Sequence, residues 1–161
     1  RIMAIHKLLV DDFEDLNYSL LAVHCEMDDY RLAYFLNQSL ETRLARTRED
    51  LDFVTSLASF SVFEWINPQL QTNWHLIKNS CLVEEVAISQ GLFSETKQKS
   101  WVSHSLLPEH QSVDYLLKIN NGGGFINEKQ ILNKIQKITN VSTAYSLDIS
   151  QLKSKEHLIF N

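Results

Sequence analysis

The sequence predicts an α+β fold, a mainly antiparallel sheet covered on one face by two helices. Three observations lead there. Apolar runs bounded by turn-forming residues recur as strands along the chain, and two segments between them switch to helical spacing. The 161 residues are 44% hydrophobic and 22% charged, enough to bury a core without metals or disulfides. Residues 3–161 read as one α+β domain, with Met3 as the natural start and Arg1 and Ile2 set aside.

An apolar opening, "HKLLV", is followed by the acidic run "DDFED" and then by "YSLLAVHC", residues 18–25, a compact run that reads as a buried strand. In "EMDDYRLAYFLNQSLETRL" the period changes. Leu32, Phe35, Leu36 and Leu40 form one helical stripe, Asp28 is placed to cap the first turn, and Met27 to staple onto Leu32. "TREDLDFV" reads as a short returning strand.

"SFSVFEWINPQLQTNWHLIKN" reads as a β-hairpin around a loop containing Pro68. Facing Trp65 with Trp74, Phe63 with Leu76, Glu64 with His75 and Val62 with Ile77 keeps like with like across the pair. Residues 80–105 mix apolar clusters with a polar stretch near Lys97–Ser100, and an irregular segment ending in a short strand near Trp101 is expected.

"VDYLLKI" is a strand, and "NNGGGFINEKQILNKIQKI" turns into the second helix. There Asn127 and Gln130 form a capping pair, Ile126 staples onto Ile131, and Ile131, Leu132, Ile135 and Ile138 make the buried face. "VSTAYSLDI" returns as a strand, and the apolar end of "LKSKEHLIF" is expected to dock. Two strand–helix–strand units thus flank a hairpin. A ferredoxin-like core with an inserted hairpin accommodates that order; a doubly covered mixed sheet is the competitor.

Charge and cysteine usage bound the function. Fifteen basic against twenty acidic residues leave a net charge of −5, which disfavours non-specific attraction to nucleic acid or an anionic membrane. The one dense basic cluster, Arg43, Arg46 and Arg48, is interrupted by Glu41, Glu49 and Asp50, as on a solvated surface. No apolar run is long enough for a transmembrane helix, and the start lacks the pattern of a secretory signal. Cys25 and Cys81 make no disulfide framework, so a cytoplasmic location is expected.

The stretch "SLLPEHQSVDYLLKI" raises the question of a carboxylate pair, Glu109 and Asp114, beside Tyr115. Paired carboxylates do acid–base work when they converge. Five positions apart, these share no helix face, and in an extended chain they point to opposite sides. The expectation is therefore a turn at Pro108–Glu109. Glu109 should accept backbone N–H bonds and Asp114 should face solvent or Lys118, while Tyr115 packs inward beside Val113 and Leu117.

"LLPEHQSVDYLLKI" resembles the bacterial family labelled IPExxxDY, which has no assigned activity. "MAIHKLLVDDFEDLNYSLL", "FSVFEW" and "YSLDISQLKSKEHLIF" are similar to that family too, so the likeness spans nearly the whole chain. Leu107 stands where the label has Ile, and four residues separate Glu109 from Asp114 where it has three. The resemblance implies no activity or cofactor; it marks Pro108, Glu109, Asp114 and Tyr115 as label residues.

Other motifs are weaker. "NNGGGF" lacks the Lys-Ser/Thr or Gly-x-Gly-x-x-Gly pattern of a phosphate loop and reads as a turn. His24, Cys25 and Cys81 lack metal-ligand spacing, so neither metal nor cofactor is expected. Phe63, Trp65 and Trp74 at period two suit a core better than a base-stacking platform. Glu64 and His75 make a cross-strand ion pair that could also move protons.

The leading expectation is a non-enzymatic protein that binds another macromolecule, most simply a protein, through Glu109, Asp114, Tyr115, Trp65 and Trp74. A homodimer through an exposed sheet edge is compatible with this. Two alternatives stand beside it. One is an enzyme acting on a small anionic or acyl substrate; the other is an RNA-binding accessory protein.

Overall fold

A computed structural model describes residues 18–53, 57–91, 94–122 and 124–159, without the side chains of residues 87–97. The opening "HKLLV" and "DDFED" segments lie outside the described residues. The chain runs β1 (Tyr18–Cys25), α1 (Asp29–Leu40), β2 (Ala45–Arg46), β3 (Leu51–Phe53), β4 (Ala58–Phe60), β5 (Val62–Asn67) and β6 (Thr72–Lys78). It continues as β7 (Ser80–Gly91), β8 (Ser94–Ser105), β9 (Tyr115–Asn120), α2 (Glu128–Gln136) and β10 (Val141–Leu147). Short 3-10 turns span Pro108–His110, Ile149–Gln151 and Lys155–Leu158.

The fold is α+β. Six strands form one sheet in the order β10–β1–β9–β6–β5–β2, with every neighbouring pair antiparallel. Strands β1 and β9 lie inside this sheet and are buried on both sides, which is why their sequences are nearly continuous apolar runs. Alternation along them feeds two cores. Leu21, Val23, Leu76, Leu117 and Ile119 cluster with Leu32, Ala33 and Leu36 of α1 and Ile135 of α2. Leu20, Ala22, Ile77 and Leu116 cluster instead with Phe60 of β4, Leu106, Leu107, Leu152 and Leu158.

The β5–β6 hairpin has the expected register, with Trp65 opposite Trp74 and Glu64 opposite His75. Asn127 caps α2 by accepting from the Gln130 N–H at 3.2 Å, and Ile135 is fully buried. Asp28 stands at the α1 N-cap, but its side chain makes no capping bond there. Asp29 accepts the Tyr30 N–H instead, at 2.7 Å. The C-terminal segment docks: Leu152 and Leu158 are buried, and His157 Nδ1 lies 2.7 Å from the Leu106 carbonyl oxygen.

Residues 80–105 correct the expectation of an irregular segment. They form a long antiparallel hairpin, β7–β8, paired from Ser80–Ser105 to Gly91–Ser94. Polar residues on both faces of "SETKQKS" erase the apolar alternation that marks a half-buried strand, yet backbone pairing needs none. Among the described residues, no helix is long and apolar enough to cross a membrane.

Candidate functional site

The segment holding Glu109, Asp114 and Tyr115 is wrapped around Asn79, which is wholly buried between β6 and β7. Asn79 Nδ2 donates to the carbonyls of His110 and Val113, each at 2.8 Å, and Oδ1 accepts the Leu107 N–H at 3.0 Å. Its backbone N–H donates to the Asp114 carbonyl at 2.9 Å, and its own carbonyl accepts the Leu106 N–H at 2.7 Å. Both amide donors and the carbonyl oxygen of one buried side chain are thus used to shape one loop.

The side chains within that loop take separate jobs. Asp114 Oδ2 accepts the Cys25 N–H at 2.9 Å, at the register shift that ends the β1–β10 pairing. Asp114 is half-buried, and this oxygen is engaged by the strand end rather than by Lys118. Tyr115 Oη donates to the Met27 carbonyl at 2.6 Å, tying β9 to the β1–α1 junction. Burial, with Cys25, Asp29, Asp28 and Asp114 nearby, holds the Tyr115 phenol well above its ordinary pKa.

Val113 departs from the expected inward row. It packs with the Leu116 cluster, whereas Tyr115 and Leu117 belong to the other, because β9 begins only at Tyr115 and strand alternation does not yet apply. Glu109 also differs: its Oε2 accepts from the Ser154 hydroxyl at 3.3 Å rather than from backbone N–H groups. Its Oε1 is buried without a hydrogen-bond partner among the described residues. Glu109 faces the C-terminal segment and Asp114 faces the end of β1, so the two carboxylates serve different contacts.

Trp65 and Trp74 are half-buried and pack against the core that contains the helices, their ring centroids 6.2 Å apart. His24 Nε2 lies 2.9 Å from the Tyr145 hydroxyl. Burial raises the Cys25 thiol pKa. No group of three or more metal-ligating side chains occurs among the described residues. At the Gly run, Gly122 takes φ +56 in a turn whose N–H donates to Asn120 Oδ1 at 2.9 Å.

Two further features stand out, the second only partly legible in the sequence as the Glu64–His75 pair. The first is the β7–β8 arm. Its register sets Leu82, Glu84 and Val86 opposite Ser103, Trp101 and Lys99 on one face. Leu82 is 67%, Val86 53% and Trp101 65% exposed, with a Glu84–Lys99 ion pair at 3.7 Å beside them. On the opposite face Cys81 and Val83 pack against the Leu116 core. The alternation of Leu82 and Val86 was the available signal, and it needed the partner strand to become a face.

The second is a cleft of about 550 Å³ lined by Thr47–Leu51, Val62, Glu64, His75 and Ile159. Glu64, His75 and Lys118 form a polar row across β5, β6 and β9, continuing into Leu20 of β1. His75 Nε2 lies 2.9 Å from Glu64 Oε2. Burial lowers the His75 pKa below its ordinary 6.5, against the opposing pull of Glu64. The imidazole is therefore neutral at pH 7, and its Nε2–H donates to Glu64. Lys118 is buried, donates to the Leu158 carbonyl at 2.6 Å and lies 4.6 Å from the Tyr18 ring centroid. A lysine inside "YLLKI" was the sequence signal for this row.

Comparison of the chain with known protein families, with curated proteins and with solved structures gives no match.

Proposed function

We propose that this chain is a cytoplasmic protein-binding domain of the IPExxxDY type, and that the β7–β8 arm is its docking element. The carrying observation is the exposed apolar face of Leu82, Val86 and Trp101. Aromatic and aliphatic anchors exposed together are costly in water and favour contact with another surface. The arm forms a two-stranded sheet of its own, so its outer edges also offer unpaired backbone groups to an incoming strand. The partner fitted to this face is a protein presenting an apolar strip or an extended strand.

Several features support the finer parts of this reading. The order β10–β1–β9–β6 matches a ferredoxin-like core, with β6 of the Pro68 hairpin as the second core strand in place of "TREDLDFV", which pairs with β4 in a separate sheet, and with the arm as the insertion between β6 and β9. Residues of α1 and α2 in one apolar cluster support helices over one face. The label residues Pro108, Glu109, Asp114 and Tyr115 sit in a loop built on Asn79 and tied to β1, a structural role that suits a family label without an activity. Cys25 and Cys81 are free thiols, in keeping with a reducing compartment.

The test is affinity capture from native cell extract with the wild-type chain and with Trp101→Ser, each with and without nuclease. Proteins held by the wild type, lost from Trp101→Ser and insensitive to nuclease are expected. Equal capture by both variants would remove the arm from the interface. Capture that nuclease abolishes would move the RNA reading first.

A further inference from the structure

The cleft beside β5 and β6 stands apart from the arm and has its own chemistry. Its volume of about 550 Å³ falls within the roughly 300–1,000 Å³ common for small-molecule sites. Leu51, Val62 and Ile159 give it apolar wall. Around Val62 the same sheet face is apolar, with Leu20, Ala22, Ile77 and Leu116. A Glu64–His75–Lys118 row in that surface is the departure, with His75 and Lys118 buried polar groups in apolar surroundings.

The charges in and behind the cleft can be assigned one by one. Lys118 faces the row from β9 and is engaged by the Leu158 carbonyl and the Tyr18 ring. Asp50 is ion-paired with Arg46 and accepts from the Ser59 hydroxyl at 3.2 Å. Arg48 and Glu49 are adjacent, exposed and of opposite sign. Glu64 is the carboxylate partner of His75, and its side chain is 37% exposed. Oε2 receives the imidazole, which leaves the second oxygen of the carboxylate as an acceptor.

We infer that this cleft binds a small organic cation, with a primary ammonium or guanidinium head on Glu64 and a short apolar stem against Leu51, Val62 and Ile159. A charged N–H donor meeting a carboxylate at a partly dry floor makes the stronger class of hydrogen bond. The apolar walls account for the stem. His75 acts as a positioning residue, because its bond to Oε2 orients the carboxylate. Acid weakens the site, since an imidazolium formed beside Lys118 and Glu64 opposes a second cation.

The experiment is a ¹⁵N-resolved NMR titration of the whole chain with n-butylamine and with n-pentylamine, and with inorganic phosphate as the anionic comparison. Saturable shifts confined to Thr47–Leu51, Glu64 and His75 are expected with the amines and not with phosphate. Glu64→Gln should weaken amine binding by at least about tenfold, the loss of one charge-assisted contact. If Glu64→Gln perturbs the fold, Ile159→Arg serves in its place, since it sets a positive charge on an exposed part of the wall and should weaken the amines equally. Absence of saturable amine shifts, retained affinity in a folded Glu64→Gln or Ile159→Arg variant, or phosphate binding in the cleft would each overturn the assignment. None of these results depends on the arm, so the docking reading stands or falls separately.

Discussion

Asn79 accepts the backbone N–H of Leu107 at 3.0 Å while its amide nitrogen holds the carbonyls of His110 and Val113. One buried side chain thereby supplies, around the short 3-10 turn at Pro108–His110, bonds that no strand pairing gives residues 106–114. Removing it would leave the Val113 carbonyl and the Leu107 N–H buried without partners, each at a cost of about 1–3 kcal/mol, not additively, while the His110 carbonyl would keep the Val113 N–H. Asn79→Ala should therefore lower stability by about 3 kcal/mol or more in urea unfolding. Asn79→Asp should not rescue it, because a carboxylate cannot donate to the two carbonyls. A near-native midpoint for either variant would show that the loop holds itself.

Tyr115 separates a hydrogen bond from a core contact. Tyr115→Phe loses only the bond to the Met27 carbonyl and should cost about 1–2 kcal/mol. Tyr115→Ala also empties a fully buried ring position and should cost about 3–5 kcal/mol. Glu109→Gln keeps an acceptor for Ser154 and removes the charge from a buried, unpartnered carboxylate oxygen, so it should stay within about 1 kcal/mol. Chemical denaturation of the three variants gives this order; a Glu109→Gln loss as large as that of Tyr115→Ala would contradict it.

Ile135 is the fully buried residue of α2, packed in the core shared with Leu36 and Leu117. Ile135→Ala should cost about 2–5 kcal/mol, measured as a shift in the unfolding midpoint. Ile131→Ala, at a half-buried position, should cost less. The reverse order would mean that the helix is rotated about its axis.

His75 supplies a pH dependence. Its folded pKa lies below the 6.5 of the free side chain, chiefly because burial opposes the charge. Between the two values the unfolded chain binds more protons than the folded one, so stability rises with pH across that window and is lost as pH falls below about 6.5. Thermal melts of the wild type should show this slope, and His75→Gln should flatten it. A slope unchanged in His75→Gln would assign the titration to another group.

Much of the architecture was legible locally. The β5–β6 register followed from matching like residues across one loop, and Asn127 with Ile131 and Ile135 defined α2 through helical spacing. These features are decided by residues a few positions apart. The arm was not legible, because "SETKQKS" carries no apolar alternation and its pairing with β7 is a matter of backbone groups.

The sequence by itself determined the α+β class, the elements whose apolar periods are strong, and the separation of Glu109 from Asp114. Tertiary structure alone decided the order β10–β1–β9–β6–β5–β2, the exposed face shared by Leu82 and Trp101, and the placing of Lys118 beside the Glu64–His75 pair. It also decided that Asp114 meets the Cys25 N–H across 89 positions of chain. Period and propensity act along the chain, whereas a buried polar group is satisfied by whichever backbone group the packed strands bring within about 3 Å of it.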